Sequence, residues 1–189
     1  MKIIGFVLIS TFVVTVATAK SSPMTAHKRR MRIQTDTFEQ ECRRWHNYYR
    51  GMHRVPKLGL NKKLHKSAQN WANHLARQRF GQPISHSPAS RKLGENIYWY
   101  TTSSARYKVS AKTAITYWYE EKKYYGYNHP GFSSQTAHFT QVVWKSSKSL
   151  GCAKSRAHEG YFYRFFVVCN YYTKGNILKK FRQNVPRPR

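Results

Sequence analysis

Four ionisable residues stand in short polar motifs whose chemistry suits a shared site. His86 lies in the run SHSP, Glu95 in GEN, Glu121 at the end of WYEE, and His138 at the start of HFTQVVW. A carboxylate beside an imidazole fixes the tautomer of the ring and favours its charged form. Two imidazoles with one or two carboxylates are a workable ligand set for zinc. We therefore take His86 and His138 as candidate metal ligands and zinc as the candidate cofactor.

A metal held in this way could activate water, which makes a metal-assisted hydrolase one interpretation. Ser85 and Ser87 flank His86, but neither lies in a nucleophile elbow or triad signature, and the sequence contains no HExxH motif. A binding cleft is therefore favoured over an enzyme. A third interpretation stays open, in which two Glu–His pairs only hold the fold together.

Helix patterns dominate the first half of the chain, and the predicted helices must help to position the candidate site residues. The spacing of apolar residues predicts a helix from Asp36, with Glu39 completing a capping-box variant, to about Gly51. Asn61 and Ser110 are expected to cap two further helices.

Alternation with a period of two follows in the second half, over 139–144, 149–154 and 161–172, and predicts strands. His138 is therefore expected just before a half-buried strand. Helices first and strands later indicate an α+β domain of layered, α/β/α type.

The ends of the chain differ in composition from the expected domain, 36–181. Residues 1–19 have the charged start, apolar run and small-residue cleavage site of a signal peptide, which predicts an extracellular, secreted protein. Residues 20–35 form a basic arm, expected to be flexible, in which Lys28-Arg29-Arg30 is a possible processing site. Residues 182–189 are expected to be a loose basic tail rich in Pro and Arg.

The charge balance is extreme, with 34 Lys and Arg against 7 Asp and Glu, a formal net charge of +27. Such a chain attracts polyanions, and the candidates are anionic lipid headgroups, sulfated glycans and microbial surfaces. A cationic host-defence protein fits the same composition, and so does a surface that only keeps the protein in solution. Secretion and the lack of a nucleic-acid-binding motif count against nucleic acid. The candidate contacts with a polyanion are Lys179, Lys180, Arg182, Arg187 and Arg189.

The three cysteines allow one disulfide. Cys152 and Cys169 flank segments that read as neighbouring strands, which makes them the best pair in an oxidising compartment. Cys42 is left over on a helix pattern. A buried free thiol is favoured there over a dimer link, so the chain is expected to be a monomer or a weak dimer. His46 on the same helix is expected to pack in the core.

Five motifs occur in a fixed order, and together they resemble the CAP superfamily of cysteine-rich secretory proteins, venom antigens and pathogenesis-related proteins. The resemblance spans about 38–178 and is nearest to the short Golgi-associated plant pathogenesis-related type. The motifs are HNYYR at 46–50, GENI at 94–97, Trp118-Tyr119 with Glu121, HFTQVVW at 138–144, and FVVCNY at 166–171 with GNI at 175–177.

The resemblance implies a three-layer α-β-α sandwich in which His86, Glu95, Glu121 and His138 meet in one open cleft. Glu120 is the competitor for the third place, and the spacing to the Pro-Gly-Phe bend favours Glu121. Family membership also implies sterol or fatty-acid binding. The segment Tyr98-Trp99-Tyr100 either contributes an apolar patch for such a ligand or belongs to the core.

Overall fold

The structure, a computed structural model, describes residues 36–189, so the predicted signal peptide (1–19) and basic arm (20–35) lie outside the described residues. Within this range no helix is long and apolar enough to cross a bilayer. The elements are α1 (Phe38–Met52), β1 (Gly59–Leu60), α2 (Lys62–Arg77), β2 (Gly94–Thr102), α3 (Ala111–Glu120), α4 (Ala137–Val142), β3 (Ser149–Glu159), β4 (Phe162–Tyr172) and α5 (Phe181–Asn184), with 3₁₀ turns at Pro88–Arg91 and Glu121–Tyr124.

Helix α1 begins one residue later than its sequence pattern predicts. Thr37 is the N-cap: its hydroxyl accepts from the N–H of Gln40, and the Gln40 side chain accepts from the N–H of Thr37 at 2.8 Å. The predicted capping box of Asp36 and Glu39 is therefore wrong. Asp36 instead forms an ion pair with Arg44, about two turns into the helix. Threonine with glutamine three positions on satisfies the same two backbone donors.

The other two predicted caps are confirmed. The Asn61 side chain accepts from two N–H groups at the start of α2, and Ser110 accepts from the N–H of Thr113 at the start of α3. Helix α2 packs tightly on the sheet, because a Cβ at Gly151 in β3 would overlap the backbone of Leu64 and His65.

One four-stranded sheet in the order β1-β3-β4-β2 forms the middle layer. Strand β1 is parallel to β3, and the other neighbours are antiparallel. Strand β4 alternates its side chains between the two faces. Val167, Cys169 and Tyr171 join the core shared with α1, α3 and α4, whereas Phe166 and Val168 join the core under α2. The protein is thus an α+β, three-layer α-β-α sandwich, as expected.

The predicted strand over 139–144 is wrong, since 137–142 forms helix α4. The Thr/Val/Val sequence is β-prone by residue type, but such preferences yield to tertiary context. At the start of the helix, the carboxylate of Glu121 accepts from the N–H groups of His138 at 3.0 Å and Phe139 at 3.1 Å. A distant side chain thereby satisfies donors that a helix leaves free.

Arg50 secures the other end of α4. Its buried guanidinium donates to the carbonyl oxygens of Val142 at 3.0 Å and Trp144 at 2.8 Å, and also reaches Ser147. Burial lowers the pKa of Arg50 to about 10. Arg50 is the last residue of the HNYYR motif. It therefore fixes the end of helix α4, which contains residues of the HFTQVVW motif.

The disulfide prediction is confirmed: Cys152 and Cys169 are paired neighbours on β3 and β4 and are bonded. Cys42 is a buried free thiol, as expected. His46 is fully buried between the carbonyl oxygen of Cys42 and the hydroxyl of Tyr171. Burial lowers the pKa of His46 to about 3, which fits a neutral core histidine.

The C-terminal residues are not a loose tail. Residues 181–184 form α5, and Phe181 and Val185 are buried. The last residue, Arg189, donates its N–H to the carbonyl oxygen of Met52 at 3.1 Å. The prolines and arginines suggested an extended tail, but the two apolar side chains among them anchor the segment to the core.

Candidate metal and ligand cleft

His86 and Glu95 form the first pair of the site. His86 lies on the loop before the 3₁₀ turn and is half exposed, whereas the Glu95 side chain at the start of β2 is fully buried. Their Nδ1 and Oε1 atoms are 2.9 Å apart. The Glu95 carboxylate also accepts from the N–H and hydroxyl of Ser87 and from the amide of Asn170. Burial raises the pKa of Glu95, but these hydrogen bonds outweigh it and the pKa lies below its ordinary value.

His138 and Glu121 form the second pair, with Nδ1 and Oε1 2.6 Å apart. Both side chains are mostly buried. The Trp118 ring lies nearly parallel to the His138 ring, at 15°. Glu120, the competing residue, makes none of these contacts, although it lines a cavity along α3 together with Glu121. The structure therefore places Glu121 beside the histidine.

Asn96 connects the two pairs. It follows Glu95 directly in β2, and its side-chain amide donates to the carbonyl oxygen of His138 at 3.1 Å and to the hydroxyl of Tyr171 at 3.2 Å. Adjacent residues of one strand thus hold the carboxylate of the first pair and the backbone of the second.

The hydrogen-bond pattern leaves the same nitrogen available on both rings. A carboxylate at Nδ1 requires a proton there, so Nε2 of His86 and of His138 carries the lone pair. Imidazole ligands of metals are commonly oriented by a carboxylate on the other ring nitrogen in this way. The chemistry of the donor set therefore fits a divalent metal such as zinc.

The four residues do not form one compact ligand cluster. Among residues 36–189, three or more ligand atoms of His, Cys, Asp or Glu come within 4.8 Å of one another only at Cys42, Cys152 and Cys169. A metal in the cleft would therefore draw on the two imidazoles and on water.

Each Glu–His pair lines a cavity. His86 and Glu95 line one of about 190 Å³, together with Lys174. His138 and Glu121 line another of about 340 Å³, whose remaining walls are aromatic and apolar residues of β2 and α3.

The aromatic segment at 98–100 is split between core and surface. Tyr98 is buried, whereas Trp99 is 53% exposed and Tyr100 is 43% exposed. Tyr98 also borders a cavity of about 590 Å³ along α3, with Tyr117 and Tyr124 as further walls. Tyr98 therefore belongs to the core, whereas Trp99 and Tyr100 lie at the surface.

Three supporting residues escaped the sequence reasoning, namely Ser87, Asn96 and Asn170. Each donates a side-chain hydrogen bond to Glu95 or His138. The signal was present, because Ser87 and Asn96 directly follow His86 and Glu95, and Asn170 lies inside the FVVCNY motif.

The proposed polyanion contacts are all exposed at the C-terminal end, at Lys179, Lys180, Arg182, Arg187 and Arg189. Arg187 is partly engaged, since its guanidinium lies over the Tyr127 ring and donates to Asn128 at 2.5 Å. The other four make no side-chain ion pair or side-chain hydrogen bond within the described part of the chain.

Comparison with known proteins identifies the family. The family described as "CAP: Cysteine-rich secretory protein family" matches residues 44–171. The chain belongs to the CAP family. Golgi-associated plant pathogenesis-related protein 1 of Homo sapiens is 38% identical to this CAP protein over 156 residues, which cover 80% of this chain and 94% of the relative. The basic form of pathogenesis-related protein 1 of Nicotiana tabacum is 35% identical, covering 70% of this chain and 68% of the relative.

Solved CAP structures share the fold. BmVAL-1 aligns with a TM-score of 0.64 at 24% identity, covering 78% of this chain and 82% of that one. NaASP2, solved with Zn²⁺, aligns with a TM-score of 0.60 at 20% identity, covering 82% of this chain and 90% of that one. These likenesses support the three-layer architecture, and the sequence relatives confirm the resemblance to the short Golgi-associated type.

Proposed function

We propose that this protein is a secreted, extracellular CAP-domain binding module whose cleft binds a divalent metal, zinc, through His86 and His138. One observation carries the proposal: both rings commit Nδ1 to a carboxylate and present Nε2. When bound, the metal supplies a positive charge and an open coordination position for a ligand. Zinc in the NaASP2 structure supports this choice of metal.

The protein's own residues orient the two rings through Nδ1 and leave Nε2 free of any hydrogen bond within the described residues. Glu95 accepts four hydrogen bonds and Glu121 accepts three. Moving either carboxylate away from its histidine would break several hydrogen bonds at once. Ser87 donates its hydroxyl to Glu95 at 2.6 Å and is buried, which keeps that hydroxyl from reaching a substrate. Binding is therefore the proposed role, in preference to hydrolysis.

The cationic surface supports a second part of the proposal, attraction to phosphate- or sulfate-bearing surfaces. The chain carries 34 Lys and Arg against 7 Asp and Glu, and Lys179, Lys180 and Arg182 are exposed. The aromatic cavity of about 590 Å³ along α3 has the size of a small-molecule site and suits an apolar ligand of the sterol or fatty-acid class.

Zinc titration by calorimetry tests the metal proposal. Wild type, a His86→Ala/His138→Ala variant and a His129→Ala control, which changes an exposed histidine elsewhere, are compared. We expect saturable binding of one zinc per chain in wild type and control, and its loss in the double variant. Equal binding by all three proteins would refute the assignment.

A further inference from the structure

Two apolar side chains project from the loop between β4 and α5. Within residues 36–189 the exposed large aliphatic residues are Leu60, Ile177 and Leu178, and Leu178 is by far the most exposed, at 71%. Ile177 and Leu178 are adjacent and form what we call the apolar tip. Single exposed apolar residues are ordinary on protein surfaces, so the surroundings of this tip decide its meaning.

The fold holds the apolar tip in place from both sides. On the N-terminal side, Gly175 donates its N–H to the buried Gln141 side chain at 2.9 Å, and the Asn176 side chain accepts from Thr140 at 2.6 Å. On the C-terminal side, Phe181 is buried in the core and packs edge-on against Trp144. The exposure of the tip is therefore imposed by anchored neighbours and does not come from a loose end.

Cationic side chains lie on the segments that flank the apolar tip. Lys179 and Lys180 follow it directly, and α5 adds Arg182. Two more lysines are brought in by backbone hydrogen bonds: Lys148 donates its N–H to the carbonyl oxygen of Tyr172 at 2.7 Å, and Lys145 donates to that of Asn184 at 3.0 Å. All five are exposed, and the sequence has no Asp or Glu in 144–148 or 172–189.

We propose that the apolar tip inserts into the headgroup region of an acidic bilayer while five cations on and beside its loop contact lipid phosphates. A rigid apolar projection on a loop flanked by lysine and arginine matches a membrane interface, which offers an apolar phase beneath a layer of negative charge. A sulfated glycan offers negative charge but no apolar phase, so it would not bury the exposed side chain of Leu178. This inference rests on the attraction to anionic surfaces proposed above, and it identifies an acidic bilayer as the partner.

Sedimentation of the full chain with phosphatidylcholine vesicles, with and without phosphatidylserine, tests the inference. Wild type should bind only the acidic vesicles. Leu178→Ser should weaken that binding about tenfold, because an apolar side chain no longer leaves water. Lys179→Gln/Lys180→Gln should weaken it about 25-fold, at about fivefold for each lysine near the membrane.

Two matched controls should bind like wild type. Tyr161→Ser removes an exposed apolar residue from the distant β3–β4 turn, and Lys63→Gln/Lys66→Gln removes two exposed lysines from α2. Thermal unfolding shows that each variant is folded.

Soluble heparin separates the outcomes. We expect Leu178→Ser to bind heparin as wild type does, because only the membrane uses the apolar tip. Acidic vesicles bound equally by wild type and Leu178→Ser would overturn the insertion while the electrostatic proposal stands. Binding of wild type to heparin but not to acidic vesicles would also overturn the insertion and leave the electrostatic proposal standing. Binding to neither would overturn both.

Discussion

Glu121 accepts two hydrogen bonds from His138, one from the ring Nδ1 at 2.6 Å and one from the backbone N–H at 3.0 Å. The same carboxylate also accepts from the N–H of Phe139. One side chain thus begins helix α4 and orients the imidazole that the helix carries. The formation of α4 and the geometry of the second pair are therefore coupled.

Glu121→Gln should destabilise the fold. A neutral amide replaces an acceptor of three hydrogen bonds, two of them from the first N–H groups of α4, and we expect a loss of about 1–3 kcal/mol in unfolding free energy. Urea denaturation measures the change. The neighbouring Glu120→Gln makes the same chemical change without these contacts and should stay within about 0.5 kcal/mol of wild type. Equal losses in both variants would contradict the role of Glu121.

Glu95→Gln should also destabilise the protein, by about 2 kcal/mol at neutral pH, since a buried carboxylate loses charge-assisted hydrogen bonds. The pH dependence follows from the lowered pKa of Glu95. The stabilisation is fully present above the ordinary value of 4.5 and is lost as pH falls through the lower folded-state value. Denaturation between pH 3 and pH 7 should show a smaller acid-induced loss for Glu95→Gln than for wild type. Identical pH profiles would be inconsistent with this role.

His46 should make the protein acid-sensitive in a higher pH range. Its pKa falls from 6.5 to about 3 in the folded state. Below pH 6.5, His46 therefore binds a proton in the unfolded chain but stays unprotonated in the folded protein until the pH approaches 3. Stability should fall from pH 6.5 down to about 3, by about 2 kcal/mol on reaching pH 5.

A His46→Gln variant isolates this effect. It should be less stable than wild type at pH 7, yet lose about 2 kcal/mol less between pH 7 and pH 5 when both are followed by urea denaturation. A variant that keeps the full wild-type slope would show that other groups cause it.

Reduction of the Cys152–Cys169 disulfide should lower the unfolding free energy by about 3 kcal/mol, since the bond closes a loop across a sequence separation of 17. In the unreduced, denatured protein, alkylation and peptide mapping should label Cys42 alone. Cys42→Ala should keep the disulfide. Label on Cys152 or Cys169 without reductant would contradict this pairing.

Local patterns predicted much of the fold. Asn61 and Ser110 predicted two helix starts because an N-cap is a local interaction. Cys152 and Cys169 could be paired because alternating side chains indicated both strands. The start of α1 was misplaced by one residue because Asp36 and Thr37 are both competent caps. Helix α4 could not be predicted, since Glu121 and Arg50, which satisfy its ends, are distant in sequence.

The site was predictable as residue types but not as geometry. The resemblance to the CAP family implied the set His86, Glu95, Glu121 and His138, and spacing favoured Glu121 over Glu120. No local pattern could show that each ring uses Nδ1 for its carboxylate, or which cavity each pair lines. These facts depend on how β2 and α4 pack, through contacts such as Asn96 with the carbonyl oxygen of His138.

Anomalous diffraction at the zinc absorption edge, from crystals of the protein grown with one equivalent of zinc, tests the metal assignment most directly. We predict one strong peak within bonding distance of Nε2 of both His86 and His138. A peak at the cysteine cluster of Cys42, Cys152 and Cys169, at other histidines, or at only one of the two rings would contradict it.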